Sequence, residues 1–95
     1  MERETYKRPS VKTLLLVEDN VATASQLGEK LAQQAGCQVI VASDCVTALK
    51  FVRSCKPDLM LVEARLLTHN GIDLLPRLQM MQDLQGIPLL LLRAR

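Results

Sequence analysis

Four short aliphatic runs constrain the fold of this chain more than any other feature. They are "TLLLV" at 13–17, "QVIVA" at 38–42, "LMLV" at 59–62 and "IPLLLL" at 87–92. None alternates between apolar and polar residues, which is typical of strands buried on both faces of a parallel sheet. The segments between them carry apolar residues at steps of three and four, the spacing of amphipathic helices. Strand and helix alternate three times before the last strand, which predicts an open parallel α/β sheet with helices on both faces.

Residues at the helix ends support this alternation. Asp19 or Asn20 is expected to cap the first helix and Gly36 to end it, while Asp44 is expected to cap the second. The third helix is predicted to open near Asn70, and Pro76 should bend it or delay its start. Its inward positions are predicted to be Ile72, Leu75, Leu78 and Met81, with Leu84 near its end.

Length and composition favour one small intracellular domain. The chain has 95 residues, so we expect a flexible tail at 1–10 and a single domain at 11–95. One Tyr, one Phe and a net charge of +2 argue against nucleic-acid binding. No apolar run is long enough for a membrane span, and the polar start is not a signal peptide. Three cysteines without zinc-site spacing suggest free thiols in the cytoplasm.

Carboxylates follow two of the predicted strands. Glu18 and Asp19 come directly after the first strand, and Glu63 comes after the third. If these strands are neighbours, about 4.8 Å apart, the three acids converge at the carboxyl edge of the sheet. Converging carboxylates repel one another, so a compensating cation is expected, and oxygen ligands suit Mg²⁺. Weak Mg²⁺ binding by these three residues is therefore predicted.

These residues resemble the receiver domain of bacterial response regulators. "LLLVEDN" is similar to that family's first strand with its acidic pair, "KPDLMLVEARLLTHNG" to its third strand and phosphoacceptor loop, and "IPLLLLRA" to its fourth strand. The resemblance implies a flavodoxin-like sheet, here with strand order 2-1-3-4. It also implies Mg²⁺ held by the acidic pair, phosphoryl transfer from a histidine kinase to an Asp, and a switched surface that binds a signalling partner.

The chain departs from the family at the residues that handle phosphate. The phosphoacceptor position holds Glu63, whose extra methylene displaces the carboxylate by about 1.3 to 1.5 Å, enough to impair a positioned reaction. Arg93 stands where the family has a small hydroxyl residue that reads the phosphoryl group. Its guanidinium is able to grip a carboxylate with two hydrogen bonds, so Arg93 is predicted either to pair with Glu63 or to point into solvent.

Other family features have no counterpart in this sequence. The family's fifth strand, last two helices, phosphate-binding lysine and aromatic switch residue are missing, so the domain is expected to be incomplete. Leu67 and Thr68 replace the loop proline and glycine of the family, and the neighbouring His69 is expected to be solvated. The fourth strand should then form an apolar sheet edge that pairs with a second copy, a partner or the rest of a longer protein.

The favoured hypothesis is a receiver-like module with degraded phosphorylation chemistry, a pseudo-receiver, that acts through protein contacts and is not an enzyme. Glu63 would either mimic a phosphorylated Asp or be neutralised by Arg93. The first alternative is an orthodox Mg²⁺-dependent receiver that accepts phosphate. A haloacid dehalogenase type phosphotransferase would carry a second Asp two positions after Asp19, where Val21 stands. A flavodoxin-like small-molecule binder lacks support because no glycine-rich phosphate loop is present.

Overall fold

The computed structural model describes residues 11–69 and 71–93, with the side chains of 69 and 81–84 left undescribed. The predicted tail at 1–10 lies outside the described residues. The strands are β1 (Thr13–Val17), β2 (Gln38–Ala42), β3 (Leu59–Glu63), β4 (Thr68–His69), β5 (Ile72–Asp73) and β6 (Leu89–Leu92). The helices are α1 (Val21–Ala35), α2 (Cys45–Cys55) and α3 (Leu75–Gln85), and a 3-10 turn spans Ala64–Leu67.

The four long strands form one parallel sheet in the order β2-β1-β3-β6. This confirms the predicted order 2-1-3-4, since β6 is the fourth aliphatic run. β1 and β3 are direct neighbours, with Val17 paired to Val62, so the chain leaves both strands at the same edge. Their carboxyl ends therefore meet in one place, as the position of the site requires.

The core is split between the two faces of the sheet because successive strand residues point to opposite sides. Leu15 and Val17 pack with α2 and α3 residues such as Val52 and Leu78. Leu14 and Leu16 pack instead under α1, and both clusters consist mainly of aliphatic residues. Helices thus cover both faces, which confirms the predicted architecture.

The helix termini follow the sequence signals. The Asn20 side chain accepts a hydrogen bond from Thr23 N–H at the start of α1, and Gly36 ends the helix in the left-handed region at φ 66°. Asp44 caps α2 by accepting from Thr47 N–H at 2.8 Å. Each of these satisfies a backbone group that a helix end leaves without a partner.

The third helix begins later than predicted. A short antiparallel β4–β5 hairpin precedes it, and Ile72 lies on that hairpin with 61% of its surface exposed, so its predicted inward position was wrong. The Asp73 carboxylate accepts from Leu75 N–H at 3.0 Å and starts α3 there, with Pro76 in the tolerant first turn. Leu78 is buried as predicted, whereas Asn70 and the side chains of Met81 and Leu84 lie outside the described residues.

β6 lies at one edge of the sheet and is only partly covered. Leu90 and Leu91, which face opposite sides of the sheet, remain 53% and 43% exposed. The fourth strand therefore presents both open backbone groups and apolar side chains, the combination that favours association. Within 11–69 and 71–93, none of the helices has the length and apolar character needed to cross a membrane.

Candidate functional site

The candidate site lies at the carboxyl ends of β1 and β3. Glu63 is the last residue of β3, and Glu18 and Asp19 follow β1 directly. Because Val17 pairs with Val62, the next residues Glu18 and Glu63 stand side by side at the sheet edge. The structure thus brings the three predicted acids to one place.

The three acids differ in burial. Glu18 and Glu63 are 6% and 3% exposed, and they are buried acids in an otherwise aliphatic core. The side chain of Asp19 is 46% exposed. Buried carboxylates are costly unless they are paired and hydrogen-bonded, so the partners of Glu18 and Glu63 decide whether the arrangement is stable.

Local backbone contacts hold both buried acids. Glu18 N–H donates to Ala42 O at 3.0 Å, and the Glu18 carboxylate accepts from Asn20 N–H at 3.0 Å. The Glu63 carboxylate accepts from Arg65 N–H at 3.3 Å, which turns the chain into the 3-10 turn immediately after β3. That turn places the Arg65 side chain beside the acids.

The guanidinium of Arg65 lies among all three carboxylates. Its Nε is 2.7 Å from Glu63 Oε1, and its Nη2 donates to Asp19 Oδ1 at 3.0 Å. The same Nη2 is 3.9 Å from Glu18 Oε2. Arg65 is therefore the compensating cation that converging acids require, and three ion pairs from two strand ends meet on one side chain.

The charge network moves two pKa values in the directions expected for ion pairs. The hydrogen bond from Arg65 is the largest cause that lowers the pKa of Asp19, with partial burial opposing it. The hydrogen bond to Asp19, followed by the charge of Glu63, raises the pKa of Arg65. Both groups are thus held in their charged forms.

One atom of the site is incompletely satisfied. Glu63 Oε1 is buried and, although Arg65 Nε approaches it closely, no aligned hydrogen bond reaches it among the described residues. The contact is better described as a close ion pair than as a bidentate arginine grip. Such an oxygen has capacity for one further donor.

Arg93, the cation predicted from the sequence, follows β6 and is exposed. Its neighbour Leu92 is paired with Glu63 across β3 and β6, so Arg93 lies one residue beyond the level of the site. Among the described ion pairs, those of Glu63 come from Arg65, and none joins Glu63 to Arg93. The role of Arg93 as a charge partner stays a prediction.

Sequence reasoning missed Arg65. The available signal was its place two residues after Glu63 in "EARLL", within reach of an acid at a strand end. The spacing predicts a loop at this position, and only the 3-10 turn directs the Arg65 side chain back toward the sheet. The side chain of His69, which the sequence analysis also weighed, lies outside the described residues.

The residues present do not fit a resident metal ion in this arrangement. Within the described part of the chain, no group of three His, Cys, Asp or Glu side chains has the geometry to hold a metal. The physical reason is the guanidinium, which takes the central position and already neutralises part of the carboxylate charge. A divalent ion would have to displace Arg65.

Comparison with a solved structure supports the fold. The crystal structure of the anti-anti-sigma factor PhyR from Bartonella quintana is similar with a TM-score of 0.66 at 16% identity. The match covers 90% of this chain and 34% of PhyR, so the chain spans about a third of that protein. No curated protein matches the chain.

A family model gives the decisive comparison. The model of the response regulator receiver domain matches residues 14–95, which includes both strand ends and the acids that follow them. The matched residues span the four-stranded parallel sheet from Leu14 onward. The chain therefore belongs to the response regulator receiver domain family.

Proposed function

We propose that this chain is a pseudo-receiver, a two-component signalling module that acts through protein contacts without forming an acyl phosphate. One observation carries the proposal. Glu63, which we assign to the family's phosphoacceptor position from its place in the sequence, is 3% exposed and lies 2.7 Å from the Arg65 guanidinium. The carboxylate is thus both longer than the family's Asp and already engaged.

Two physical effects oppose phosphorylation of Glu63. An attacking carboxylate oxygen needs an open approach, but Oε1 faces the Arg65 Nε and Oε2 accepts the Arg65 N–H. The additional methylene displaces the oxygen by about 1.3 to 1.5 Å from where an Asp would hold it, and a displacement of that order costs about a hundredfold in rate. The two effects act on the same oxygens and reinforce each other.

The Arg65 ion pairs also favour one fixed state. The 2.7 Å contact with Arg65 supports neutralisation of Glu63, one of the two roles predicted for this acid, with Arg65 as the cation in place of Arg93. Mg²⁺ binding by Glu18, Asp19 and Glu63 is then weak, because the ion competes with a covalently tethered guanidinium. Signalling would depend on which partner recognises this state.

The proposed partners are a signalling protein or a histidine kinase in the cytoplasm. Receiver domains are in general regulators and not enzymes, and we propose the same for this chain. The exposed Leu90 and Leu91 on the β6 edge are also suited to a homodimer. No nucleic-acid or membrane role is proposed.

An orthodox receiver is the second candidate, favoured by the convergence of Glu18, Asp19 and Glu63 at the family's site. Incubation with acetyl phosphate and Mg²⁺, followed by intact-mass spectrometry, separates the two. We expect no phosphoryl adduct on the parent chain. The matched variant combines Glu63→Asp with Arg65→Gln, which shortens the acid and removes the guanidinium, and we expect it to gain an adduct at position 63.

The decisive contrary result is a phosphoryl group mapped to Glu63 of the parent chain. Mn²⁺ titration followed by electron paramagnetic resonance gives an independent measurement. We expect Arg65→Gln to bind Mn²⁺ more tightly than the parent, and equal affinities would show that Arg65 does not occupy the cation position. If adding Glu18→Gln and Asp19→Asn to Arg65→Gln abolishes the increase in Mn²⁺ affinity, the ion binds among these acids.

A further inference from the structure

A groove lies between α2 and α3, on the sheet face opposite α1. Its α2 wall consists of Val46, Leu49, Lys50 and Arg53, and its α3 wall of Arg77 and Met80. The α2 residues follow the i, i+3, i+4, i+7 spacing, so they form a continuous stripe along that helix. The groove is therefore as long as about two helical turns.

The floor of the groove is apolar and accessible. Val46 is 39% exposed and Met80 is 61% exposed, while Leu49 is half-buried and packs against the core. Met80 has an unbranched, polarisable side chain, a residue type that adapts to the shape of a bound partner. Surfaces that keep such side chains in water are typical of binding sites.

The rim of the groove is cationic. Lys50 and Arg53 lie on one wall and Arg77 on the other, and no acid is among the described residues that line it. The acid adjoining α2 is its N-cap Asp44, which accepts from Thr47 N–H. A ligand in the groove would thus meet positive charge on both sides of an apolar strip.

We propose that the α2–α3 groove docks an acidic amphipathic helix of a partner protein, with leucine-like side chains on the floor and carboxylates facing Lys50, Arg53 and Arg77. This inference rests on the proposed function, because it names the surface through which the protein contacts are made. The occupant follows from charge complementarity, since an apolar stripe flanked by acids matches an apolar floor flanked by cations. The site is separate from the acids at the sheet edge.

The shape of the surface favours a helix over an anionic membrane. The apolar side chains come from both helices that bound the groove, so a narrow helical face can contact Val46, Leu49 and Met80 together, whereas a flat lipid surface reaches the half-buried Leu49 less well. Arg side chains also pair with carboxylates in a directional way, through two parallel hydrogen bonds. A helix with acids spaced at i and i+4 presents carboxylates on one face in register with such donors.

The test uses a fluorescein-labelled synthetic peptide that forms an amphipathic helix, with Leu at i, i+3, i+4, i+7 and Glu beside them. Fluorescence anisotropy with the full chain is expected to show saturable binding. The Arg53→Glu, Arg77→Glu double variant should bind at least about tenfold more weakly. Lys30→Glu, which makes the charge change of one of these two substitutions on the exposed outer part of α1, should stay within about twofold of the parent.

Two further arms identify the source of any binding. A peptide of the same composition with its Leu residues scattered around the helix should bind at least about tenfold more weakly if the apolar floor contributes. Sedimentation with phosphatidylglycerol vesicles tests the lipid alternative. Vesicle binding that requires Arg53 and Arg77, together with no binding of the amphipathic peptide, would overturn the proposal, as would equal peptide affinity for the parent and the double variant.

The outcome is independent of the phosphorylation experiment. The anisotropy assay contains no phosphodonor or Mg²⁺, and circular dichroism of the double variant verifies that its fold is intact. A negative peptide result with an unphosphorylated Glu63 rejects the groove and leaves the pseudo-receiver standing. A phosphorylated Glu63 with groove-dependent binding rejects the pseudo-receiver and leaves the docking surface.

Discussion

Glu63 and Arg65 form an ion pair between a buried and an exposed partner, and this asymmetry predicts unequal effects of neutralising each one. Arg65→Gln leaves the buried Glu63 carboxylate in the interior without its cation. Glu63→Gln instead leaves a guanidinium that is 58% exposed and still bonded to Asp19 at 3.0 Å. Removing the exposed partner should therefore be the more harmful change, because only that change orphans a buried charge.

The structure sets the scale of both effects. In Glu63→Gln, relief of carboxylate desolvation offsets the lost attraction, and the amide oxygen still accepts the Arg65 N–H, so stability should change by less than about 1 kcal/mol. For a domain of this size that corresponds to about 4 to 8 °C in melting temperature. Arg65→Gln should lower the melting temperature by at least about 10 °C at neutral pH.

Thermal unfolding followed by circular dichroism measures both variants and their combination. The double variant should melt between the two single variants and closer to Glu63→Gln, because it removes the buried charge nearest Arg65, while the buried Glu18, 3.9 Å from Arg65 Nη2, still loses its cation. An Arg65→Gln variant as stable as Glu63→Gln would refute the view that Arg65 holds a buried charge.

Three other predictions concern the framework. Gly28→Ala should raise the free energy of unfolding in urea by about 0.5 to 1 kcal/mol, because the new Cβ lies 3.6 Å from Val39 Cγ1, an ordinary contact distance. Gly36→Ala should instead lower it, because φ is +66° at that position. Equal effects of the two substitutions would contradict this reasoning. Hydrogen bonds from the Thr13 and Lys12 backbone lower the pKa of Asp58. The ionised Asp58 therefore stabilises the fold above its unfolded pKa of about 3.9, and this stabilisation is lost as pH falls through the lower folded pKa. In a plot of melting temperature against pH, Asp58→Asn should reduce the fall at acid pH. Burial raises the pKa of the Cys45 thiol to about 11. Ellman's reagent at pH 8 should therefore label the exposed Cys55 quickly and Cys45 only after denaturation. Fast labelling of Cys45 in the folded chain would contradict its burial.

Much of the fold was predictable because its signals are local. Buried parallel strands read as continuous aliphatic runs, and β1, β2, β3 and β6 all coincide with such runs. Asn20 and Asp44 cap helices through bonds to residues three positions later, so their effect depends on nearby sequence alone. These elements follow from short-range geometry, and the sequence was sufficient for them.

The segment before α3 shows where local reasoning failed. Ile72 fits the helical spacing of Leu75 and Leu78, yet it lies exposed on the β4–β5 hairpin. Leu74 N–H donates to Leu67 O at 2.7 Å, which ties the hairpin region back to the 3-10 turn. This contact depends on where the chain leaves β3, and the spacing of apolar residues along the sequence carries no information about it.

The sequence by itself determined that acids follow the first and third strands, and that parallel strands would carry them to a common edge. Only the tertiary structure decided which cation meets them. Arg93 and Arg65 both lie close in sequence to a strand end, but the 3-10 turn after Glu63 directs the Arg65 guanidinium to all three carboxylates, while Arg93 is exposed after β6 and joins none of them among the described ion pairs. The physical reason is that strand register sets backbone positions, whereas the pairing of a long flexible side chain depends on the direction in which the following turn projects it.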